Sequence, residues 1–417
     1  MAFEEIKSVN ISNYYGEEII MDIPAIEGGK PTRTKYLPYG HHYITDDDVK
    51  SVVDVLKGEW LTTGPEVPAF ERELSEYIGS PYVRAVSSGT SALICGVGAC
   101  GIGEGDEVIT TPLSFAGTTN AILFWRAKPV FADININTLN IDPEKVERAI
   151  NSKTRGLLIL HYGGHPASMD EITDICERKN LHLVEDCAHA LGATYKGNMA
   201  GTFGDAGCFS THPVKHIATG EGGFLTLRDE EKARWVSLFR NQGIDTETLE
   251  RHASTSVHRY EITELGYNFR MSDIQAVLGR SQLRRHRENL KIRRFLAGLY
   301  DEKLKDIAEV SIPKREGYVE DAYHLYPIIV NLEILRVDRD HIIKALRAEG
   351  IGATLHYPAI HTLAWHSKHL GYKHGDMPNC EMACERLITL PLFPQMTESD
   401  IDDVVGALEK IFIYYKR

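Results

Sequence analysis

The sequence predicts an α/β fold with a mostly parallel central sheet in a large domain and a smaller C-terminal α/β domain. From Val83 onward, short β-branched runs alternate with helical stretches, which is typical of parallel βαβ units with helices on both faces of the sheet. A chain of 417 residues also exceeds one typical hydrophobic core. We therefore expect an N-terminal arm over residues 1–35, a large domain over residues 36–270 and a small domain over residues 271–417.

The elements follow one another along the chain. TDDDVKSVVDVLKG offers Thr45 as an N-cap and Gly58 as a stop, and PEVPAFERELSEYIG is typical of a second amphipathic helix. Strands are then predicted in VRAVSS, DEVITTP, PVFADI, RGLLILHYGG and HLVEDCAH, with helices between them. Two further strands, AGCFSTH and GGFLTL, flank Lys215. One long helix, SDIQAVLGRSQLRRHRENLKIRRFLAGLY, leads to the C-terminal domain, and the polar segment DTETLERHASTSVHRYEIT before it is predicted to be a long loop.

The composition argues against several classes of partner. A net charge of −13 disfavours a surface that binds nucleic acid or an anionic membrane, so an anionic ligand must be bound by a local site. No apolar run reaches the ~18 residues that a membrane span needs. The seven cysteines include no CxxC pair, and MAFEEIKSVNIS lacks the features of a secretory signal. These features predict a cytoplasmic protein with reduced thiols.

Two apparent motifs have a simpler interpretation. GVGACG, from Gly96 to Gly101, fits the spacing GxGxxG, but it lies within a predicted helix and no acid follows at the required distance of about 20 residues. We interpret it as small-residue helix packing. The histidine-rich stretch HYPAIHTLAWHSKHLGYKH lacks the spacing of a zinc site, so no metal is predicted and these histidines are expected in loops near a polar substrate.

Several residues at strand ends could bind an anionic, planar ligand. Gly89, Thr90 and Ser91 begin a helix directly after a strand, where N–H groups and the helix dipole favour an anion, although ordinary N-capping would use the same residues. Asp186 ends a strongly apolar strand, where a carboxylate needs a cationic partner, a cap or a salt bridge. Phe115 leaves another strand end, where its ring could cover a planar ligand or pack in the core.

The remaining candidates are His189 and Lys215. His189 follows Asp186 by three residues and either faces the same site or is a structural histidine. Lys215, in HPVKHIATGEGG, stands between a strand end and a glycine-rich turn, so it could be a phosphate ligand, a Schiff-base nucleophile or a solvated side chain. The residues alone leave these alternatives open.

The order of six motifs decides among them. SGTSAL, TPLSF, VEDCAHALGA, FSTHPVK, TGEGG and LGYNFRMSDIQA, taken together, resemble the DegT/StrS family of nucleotide-sugar aminotransferases from about Leu37 onward. The resemblance implies the aspartate-aminotransferase type of fold, fold type I, and the cofactor pyridoxal 5′-phosphate (PLP). It also implies that Lys215 forms the Schiff base with PLP, and that Asp186 keeps the pyridine nitrogen protonated so that the ring withdraws electrons. The residues that match the family's phosphate cradle are Gly89, Thr90, Ser91 and Ser210.

The resemblance assigns three further residues and shows one departure. Phe115 would stack on the ring, and His189 matches a His or Gln near the ring's phenolic oxygen. Asn268 is similar to an asparagine that reaches the phosphate from the neighbouring subunit, which implies a homodimer with shared active sites. Thr211 stands where the family usually has an aromatic residue in the pocket wall.

The resemblance also separates two reactions. A branch of the family, the sugar 3-dehydratases, carries histidine at the position of the Schiff-base lysine, whereas this chain has Lys215 followed by His216. We therefore expect transfer of an amino group from an amino acid, usually glutamate, to a keto carbon of a nucleotide-linked 4-keto-6-deoxy sugar. A UDP-linked N-acetylhexosamine is favoured by the motifs FSTHPVK, TGEGG, HLYPII and HYPAI. GDP- and dTDP-linked keto sugars, an aminocyclitol or another keto substrate, and a 3-dehydratase activity are the alternatives.

Overall fold

The computed structural model of the chain describes residues 8–12, 18–244 and 260–417. Most of the predicted loop DTETLERHASTSVHRYEIT therefore lies outside the described residues, as does much of the predicted arm. The strands, in chain order, are β1 (Ser8–Ser12), β2 (Glu18–Asp22), β3 (Tyr82–Val86), β4 (Glu107–Thr110), β5 (Lys128–Phe131), β6 (Thr154–Leu160), β7 (His182–Asp186), β8 (Thr194–Tyr195), β9 (Asn198–Met199), β10 (Ala206–Ser210), β11 (Gly223–Leu227), β12 (Val310–Ser311), β13 (Val319–Glu320), β14 (Tyr326–Val330) and β15 (Leu387–Leu390).

Thirteen α-helices lie in the described part of the chain. They are α1 (Asp46–Lys57), α2 (Glu66–Ile78), α3 (Gly89–Ala99), α4 (Ala116–Phe124), α5 (Pro143–Ala149), α6 (Met169–Lys179), α7 (Glu230–Phe239), α8 (Asp273–Leu283), α9 (His286–Leu304), α10 (Arg339–Ala348), α11 (Ala364–Leu370), α12 (Pro378–Arg386) and α13 (Glu398–Tyr415). No helix among them is long and apolar enough to cross a membrane.

The central sheet has seven strands in the order β3-β11-β10-β7-β6-β4-β5. The strands from β10 to β5 are parallel, and β11 runs antiparallel to both of its neighbours, β10 and β3. Alternate residues of β6 pack on opposite faces: Leu157 and Ile159 contact the cluster that includes α5 and α6, while Leu158 contacts the cluster that includes α3, α4 and α7. The predicted α/β class, with a mostly parallel sheet covered on both faces, is therefore confirmed.

The glycines of GVGACG lie inside α3 and at its end, as the packing interpretation requires. A Cβ at Gly96 would lie 2.8 Å from the sulfur of Cys208 in β10, and one at Gly98 would lie 2.4 Å from the ring of Trp125. The helix therefore needs small residues to approach the sheet and its neighbours. No phosphate-binding turn forms at this sequence, because Gly96 and Gly98 are within the helix and Gly101 follows its C-terminal end.

The long helix predicted after Arg270 is wrong in one respect, because it is two helices. α8 ends at Leu283 and α9 begins at His286. At the break, the guanidinium of Arg285 donates to both carboxylate oxygens of Asp48, at 2.8 and 2.6 Å. This ion pair ties the break to the first turn of α1. The separation lets α8 pack against α1 and α2, while α9 packs against α13.

The C-terminal part contains a three-stranded antiparallel sheet in the order β12-β14-β15, covered by α9, α10 and α13. The chain before α1 is attached to this part, because the buried carboxylate of Glu349 accepts hydrogen bonds from Ala25 N, Thr32 N and Thr32 Oγ1 at 2.7–2.9 Å. Leu37 packs in the same core. The division of the chain at residue 270 stays a prediction.

Candidate active site

The predicted site residues meet at one edge of the central sheet. Asp186 is the last residue of β7 and Ser210 the last of β10, and the two strands are parallel. Phe115 follows β4 by five residues at the same carboxyl edge. Ligands of open α/β sheets bind outside the carboxyl ends of the strands, which is the edge where these residues lie.

The start of α3 forms a small cradle beside β10. Ser88 is the N-cap residue, and its side-chain oxygen accepts from Ser91 N at 3.0 Å. The N–H groups of Gly89 and Thr90 precede the first hydrogen bonds within the helix, so they remain available for an anion. A Cβ at Gly89 would lie 2.7 Å from the Cβ of Ser210, which shows that the cradle has room only for glycine.

The hydroxyl of Ser91 belongs to the cap of the helix. It lies 2.8 Å from Ser88 Oγ and 3.1 Å from Ser87 Oγ, and the residue is buried. Thr90 lies on the other side of the turn, because its Oγ1 is 3.2 Å from the position of a Cβ on Gly117 in α4. The helix start therefore offers backbone N–H groups, with Thr90 toward α4 and Ser91 inside the turn.

Asp186 is a buried carboxylate that neutral groups hold in position. Thr118 in α4 donates to its Oδ2 at 2.7 Å, and Ala188 N donates to its Oδ1 at 3.1 Å. Burial raises the pKa of Asp186, while these hydrogen bonds and the charge of Lys215 oppose that rise. A cation bound next to the carboxylate would stabilise its ionised form.

Lys215 is a buried amine close to this carboxylate. Burial lowers the pKa of Lys215 to about 8, and the charge of Asp186 partly opposes the shift. Its Nζ lies 3.2 Å from Nε2 of His324, which precedes β14. With a pKa of about 8, a minor fraction of the Lys215 amine is neutral near physiological pH, and the neutral amine is the form that attacks a carbonyl.

His189 faces the same site through a defined tautomer. Gly163 N donates to its Nδ1 at 3.3 Å, so its Nε2 carries the proton and donates to the hydroxyl oxygen of Tyr357, 2.9 Å away. Burial lowers the pKa of His189 well below its ordinary value, and the nearby charge of Lys215 lowers it further. His189 is therefore a neutral imidazole at the edge of the site.

Phe115 places an uncovered aromatic ring beside Tyr357. Phe115 is the N-cap residue of α4, it is 63% exposed, and the two ring centroids lie 6.0 Å apart. Of the two alternatives left open by the sequence, core packing is wrong for this phenylalanine. An exposed ring at the carboxyl edge of the sheet can cover a flat ligand.

Thr211, which replaces the aromatic residue usual in the family, packs against the glycine-rich turn that follows Lys215. It is buried, and its Oγ1 lies 2.6 Å from Oγ1 of Thr219. A Cβ at Gly222 would lie 2.5 Å from Thr211 Oγ1, because the turn TGEGG folds tightly over this pair. Thr211 therefore fixes the glycine-rich turn that follows Lys215.

Asn268 is an exposed residue whose backbone lies close to the start of α3. It pairs with Asn241 in an isolated bridge, and the adjacent Phe269 O accepts from Ser87 N at 2.8 Å. The residue is thus anchored near the start of α3 and presents its side chain to the surface. That exposure leaves it accessible to a second copy of the chain.

Three residues of the site carry no individual signal in the sequence. Thr118 contacts Asp186, His324 contacts Lys215, and Tyr357 contacts His189. His324 lies in the motif HLYPII and Tyr357 in the motif HYPAI, but these motifs indicate only the class of substrate. Thr118 lies three residues after Phe115 of the motif TPLSF, but that motif does not indicate a contact between Thr118 and Asp186.

The arrangement fits PLP. The start of α3 can bind a phosphate, and Gly89 there has no room for a side chain because Ser210 lies against it. The carboxylate of Asp186 can pair with a protonated ring nitrogen, and the exposed ring of Phe115 can cover the face of the cofactor ring. The buried amine of Lys215 suits the carbonyl. These four requirements are chemically distinct, and one sheet edge meets them all.

Comparison with known proteins agrees with this chemistry. The model of the DegT/DnrJ/EryC1/StrS aminotransferase family matches residues 42–409. The uncharacterized protein MJ1066 of Methanocaldococcus jannaschii is 41% identical over 379 residues, which cover 91% of this chain and 98% of that protein. The spore coat polysaccharide biosynthesis protein SpsC of Bacillus subtilis is 39% identical over 380 residues, with the same coverage of 91% and 98%.

Solved structures with the same architecture include two sugar-related aminotransferases. PseC of Helicobacter pylori, an aminotransferase involved in the biosynthesis of pseudoaminic acid, superposes with a TM-score of 0.85 at 28% identity, covering 91% of this chain and 100% of PseC. The putative sugar aminotransferase Spr1654 of Streptococcus pneumoniae, in its PMP form, gives a TM-score of 0.86 at 29% identity and covers 91% and 99% of the two chains.

Proposed function

The chain belongs to the DegT/DnrJ/EryC1/StrS aminotransferase family, and from this membership we propose that it aminates a keto carbon of a nucleotide-linked 4-keto-6-deoxy sugar. It is a PLP-dependent aminotransferase with the type I fold of these enzymes. We propose glutamate as the amino donor. The names of SpsC and PseC support a sugar as acceptor and a role in polysaccharide biosynthesis.

One observation carries the proposal: a buried amine and a buried carboxylate face the same sheet edge. Burial disfavours the charged form of each, so it lowers the pKa of Lys215 to about 8 and raises the pKa of Asp186. The lowered pKa of Lys215 favours an amine that can attack a carbonyl. The raised pKa of Asp186 means that its carboxylate needs a cation beside it to stay ionised. When bound, PLP supplies a carbonyl that accepts the amino group and a ring that withdraws electrons.

The side chains have complementary roles in this proposal. Lys215 would hold the cofactor covalently, and its free Nζ would carry a proton to and from the reacting carbon. Asp186 keeps the proton on the ring nitrogen, and Thr118 orients that carboxylate through its hydrogen bond of 2.7 Å. As the family resemblance implies, His189 would lie near the phenolic oxygen as a neutral imidazole, and Phe115 would cover the ring.

Borohydride reduction tests the role of the lysine. Reduction of the PLP-loaded protein, followed by peptide mass mapping, should place the cofactor on the peptide that contains Lys215. Lys215→Ala should remove the label, whereas Lys128→Ala, which changes an exposed lysine on β5, should keep it. A label on a different lysine of the wild-type protein would refute the assignment.

A panel of ketones tests the acceptor. The absorbance of the PLP-loaded enzyme should change on addition of glutamate and return on addition of one nucleotide-linked keto sugar, with UDP-, GDP- and dTDP-linked sugars and a keto cyclitol compared side by side. An aminated sugar formed with an equal amount of 2-oxoglutarate is the expected product. Loss of a hydroxyl group without consumption of glutamate would instead identify a dehydratase, and recovery only with the cyclitol would overturn the sugar assignment.

The proposal includes a homodimer whose active sites are shared through Asn268. Mixing Lys215→Ala subunits with Asn268→Ala subunits, after mild dissociation and reassembly, should restore part of the activity, because one of the two sites in each mixed dimer then has both residues intact. Each variant alone should be nearly inactive. If mixing restores nothing while mixed dimers form, Asn268 serves the site of its own subunit.

A further inference from the structure

The amine of Lys215 contacts an imidazole from the C-terminal part of the chain. His324 lies 109 residues further along the sequence, just before β14, and its Nε2 is 3.2 Å from Nζ of Lys215. His324 is 6% exposed as a residue. The contact therefore connects Lys215, at the edge of the central sheet, with His324, next to the C-terminal sheet, through the Nζ atom of the lysine.

The position of His324 is fixed on two sides. Its ring lies against the ring of His189, with centroids 4.5 Å apart. Its backbone is held by the turn at Gly163 and Gly164, because Ala322 N donates to Gly164 O at 3.1 Å and Leu325 N donates to Gly163 O at 3.0 Å. A Cβ at Gly164, whose φ is +106°, would lie 3.0 Å from His324 N, so this close approach requires glycine.

The protonation states make His324 the acceptor of the pair. Burial lowers the pKa of His324 well below its ordinary value, so its ring is neutral near pH 7, whereas Lys215 with a pKa of about 8 is mostly charged. The ammonium then donates to Nε2, and the ring proton sits on Nδ1, which has no hydrogen-bond partner among the described residues. The titratable and charged groups around the pair are Asp186, His189, His216, Arg293 and His356.

We propose that His324 is a positioning residue for Lys215: its neutral Nε2 accepts a hydrogen bond from Nζ and holds the amine in the site whenever that amine is not bonded to the cofactor. The inference rests on the proposed role of Lys215. In the half of the cycle in which the amino group resides on the cofactor, a free lysine side chain has many rotamers, and the fixed imidazole selects one of them.

The hydrogen bond also sets how basic the lysine is. A neutral acceptor stabilises the ammonium form more than the free amine, so it keeps the pKa of Lys215 from falling further in the buried site. Removal of the acceptor should therefore lower this pKa. A hydrogen bond to a charged group corresponds to a pKa shift of about one to two units.

The test uses the full chain without cofactor, so that it does not depend on turnover. The reactivity of Lys215 toward trace acetic anhydride is measured against pH by peptide mass mapping in the wild-type protein and in His324→Leu, His324→Phe and His324→Gln. His366→Leu is the matched control, because His366 is a buried histidine on α11 whose two ring nitrogens have no partner among the described residues. Circular dichroism confirms that each variant is folded.

The midpoint for acetylation of Lys215 should fall by about one pH unit in His324→Leu and His324→Phe. It should stay close to the wild-type value in His324→Gln, whose amide oxygen can accept from Nζ, and in His366→Leu. Phe keeps a flat ring against His189, so it serves if Leu disturbs the fold. An unchanged midpoint in the folded Leu or Phe variant overturns the proposal, and so does an equal shift in the Gln variant.

The outcome is distinguishable from failure of the proposed function. If borohydride places the cofactor on a different lysine, the proposed function fails whatever the midpoint of Lys215 is. If the cofactor is on Lys215 but the midpoint ignores His324, only the positioning role fails.

Discussion

Two adjacent threonines of α4 provide a matched test of how Asp186 is held. Thr118 donates to Asp186 Oδ2 at 2.7 Å and lies 2.6 Å from Ser114 Oγ, so it can accept from Ser114 while it donates to the carboxylate. Thr119 is equally buried, but its hydroxyl has no hydrogen-bond partner among the described residues. Replacement of either threonine by valine keeps its shape and removes one hydroxyl.

The expected effect of Thr118→Val follows from the hydrogen bonds of the carboxylate. Asp186 has one hydrogen bond from Thr118 and one from Ala188 N, so the substitution removes one of the two. A hydrogen bond to a charged group contributes about 1.5–3 kcal/mol, which equals a rise of about one to two units in the pKa of Asp186. Burial already raises that pKa, so the ionised form loses much of its remaining advantage.

Catalysis should suffer in proportion, because an un-ionised Asp186 cannot keep a ring nitrogen protonated. We expect kcat/KM for the transamination to fall about 10- to 100-fold in Thr118→Val, with weaker binding of PLP in an absorbance titration. Thr119→Val should change kcat/KM less than about threefold, because the hydroxyl of Thr119 makes no hydrogen bond to Asp186 or to any other described residue. Equal effects of the two substitutions on kcat/KM would refute the hydrogen-bond reasoning.

Two more expectations follow from the geometry. Gly89→Ala should weaken the affinity for PLP at least about tenfold, because the added Cβ would lie 2.7 Å from the Cβ of Ser210. Gly103→Ala is the control, because a Cβ at that position meets open space. Equal PLP affinities of the two variants in a titration would contradict the role of Gly89 in binding phosphate. Acid should destabilise the cofactor-free protein, because burial lowers the pKa of His286 to about 3 and of His356 to about 4, so the unfolded chain binds more protons than the folded chain below pH ~6.5. Above that pH the neutral form of each histidine costs the folded protein nothing; below it, each histidine reduces the free energy of unfolding by about 1.4 kcal/mol per pH unit, down to its pKa in the folded protein. Calorimetry should therefore record a steep fall in Tm from pH 7 to pH 5. A flat Tm would contradict this account.

The sequence predicted the parts of the fold that local physics decides. Thr45 caps α1 as expected, with Thr45 N donating to Asp48 at 2.9 Å, and Gly58 ends the helix. The alternation of strands and helices predicted the sheet and its class. Those signals need only the neighbours of a residue along the chain, which is why they could be interpreted without tertiary information.

The errors and omissions share the opposite cause. The break between α8 and α9 depends on the ion pair of Arg285 with Asp48, which is 237 residues away. The contact of His324 with Lys215 depends on a turn at Gly164 that fixes a distant loop. Hydrophobic periodicity contains no information about either pairing, so a continuous helix is the natural prediction and the sequence assigns His324 no role.

The long-range assembly also explains why each site residue is ambiguous when taken alone. Asp186 is buried and Lys215 is partly buried, and for each of them desolvation opposes the charged form, so ionising either group alone in this position costs free energy. Their mutual attraction offsets only part of that penalty. A ligand that presents a cationic ring nitrogen to the carboxylate and a carbonyl to the amine relieves both penalties at once, because it pairs one charge and replaces the other by a covalent bond. On the proposed roles of Asp186 and Lys215, the desolvation that destabilises their charged forms in the free protein therefore favours a cofactor with PLP's chemistry.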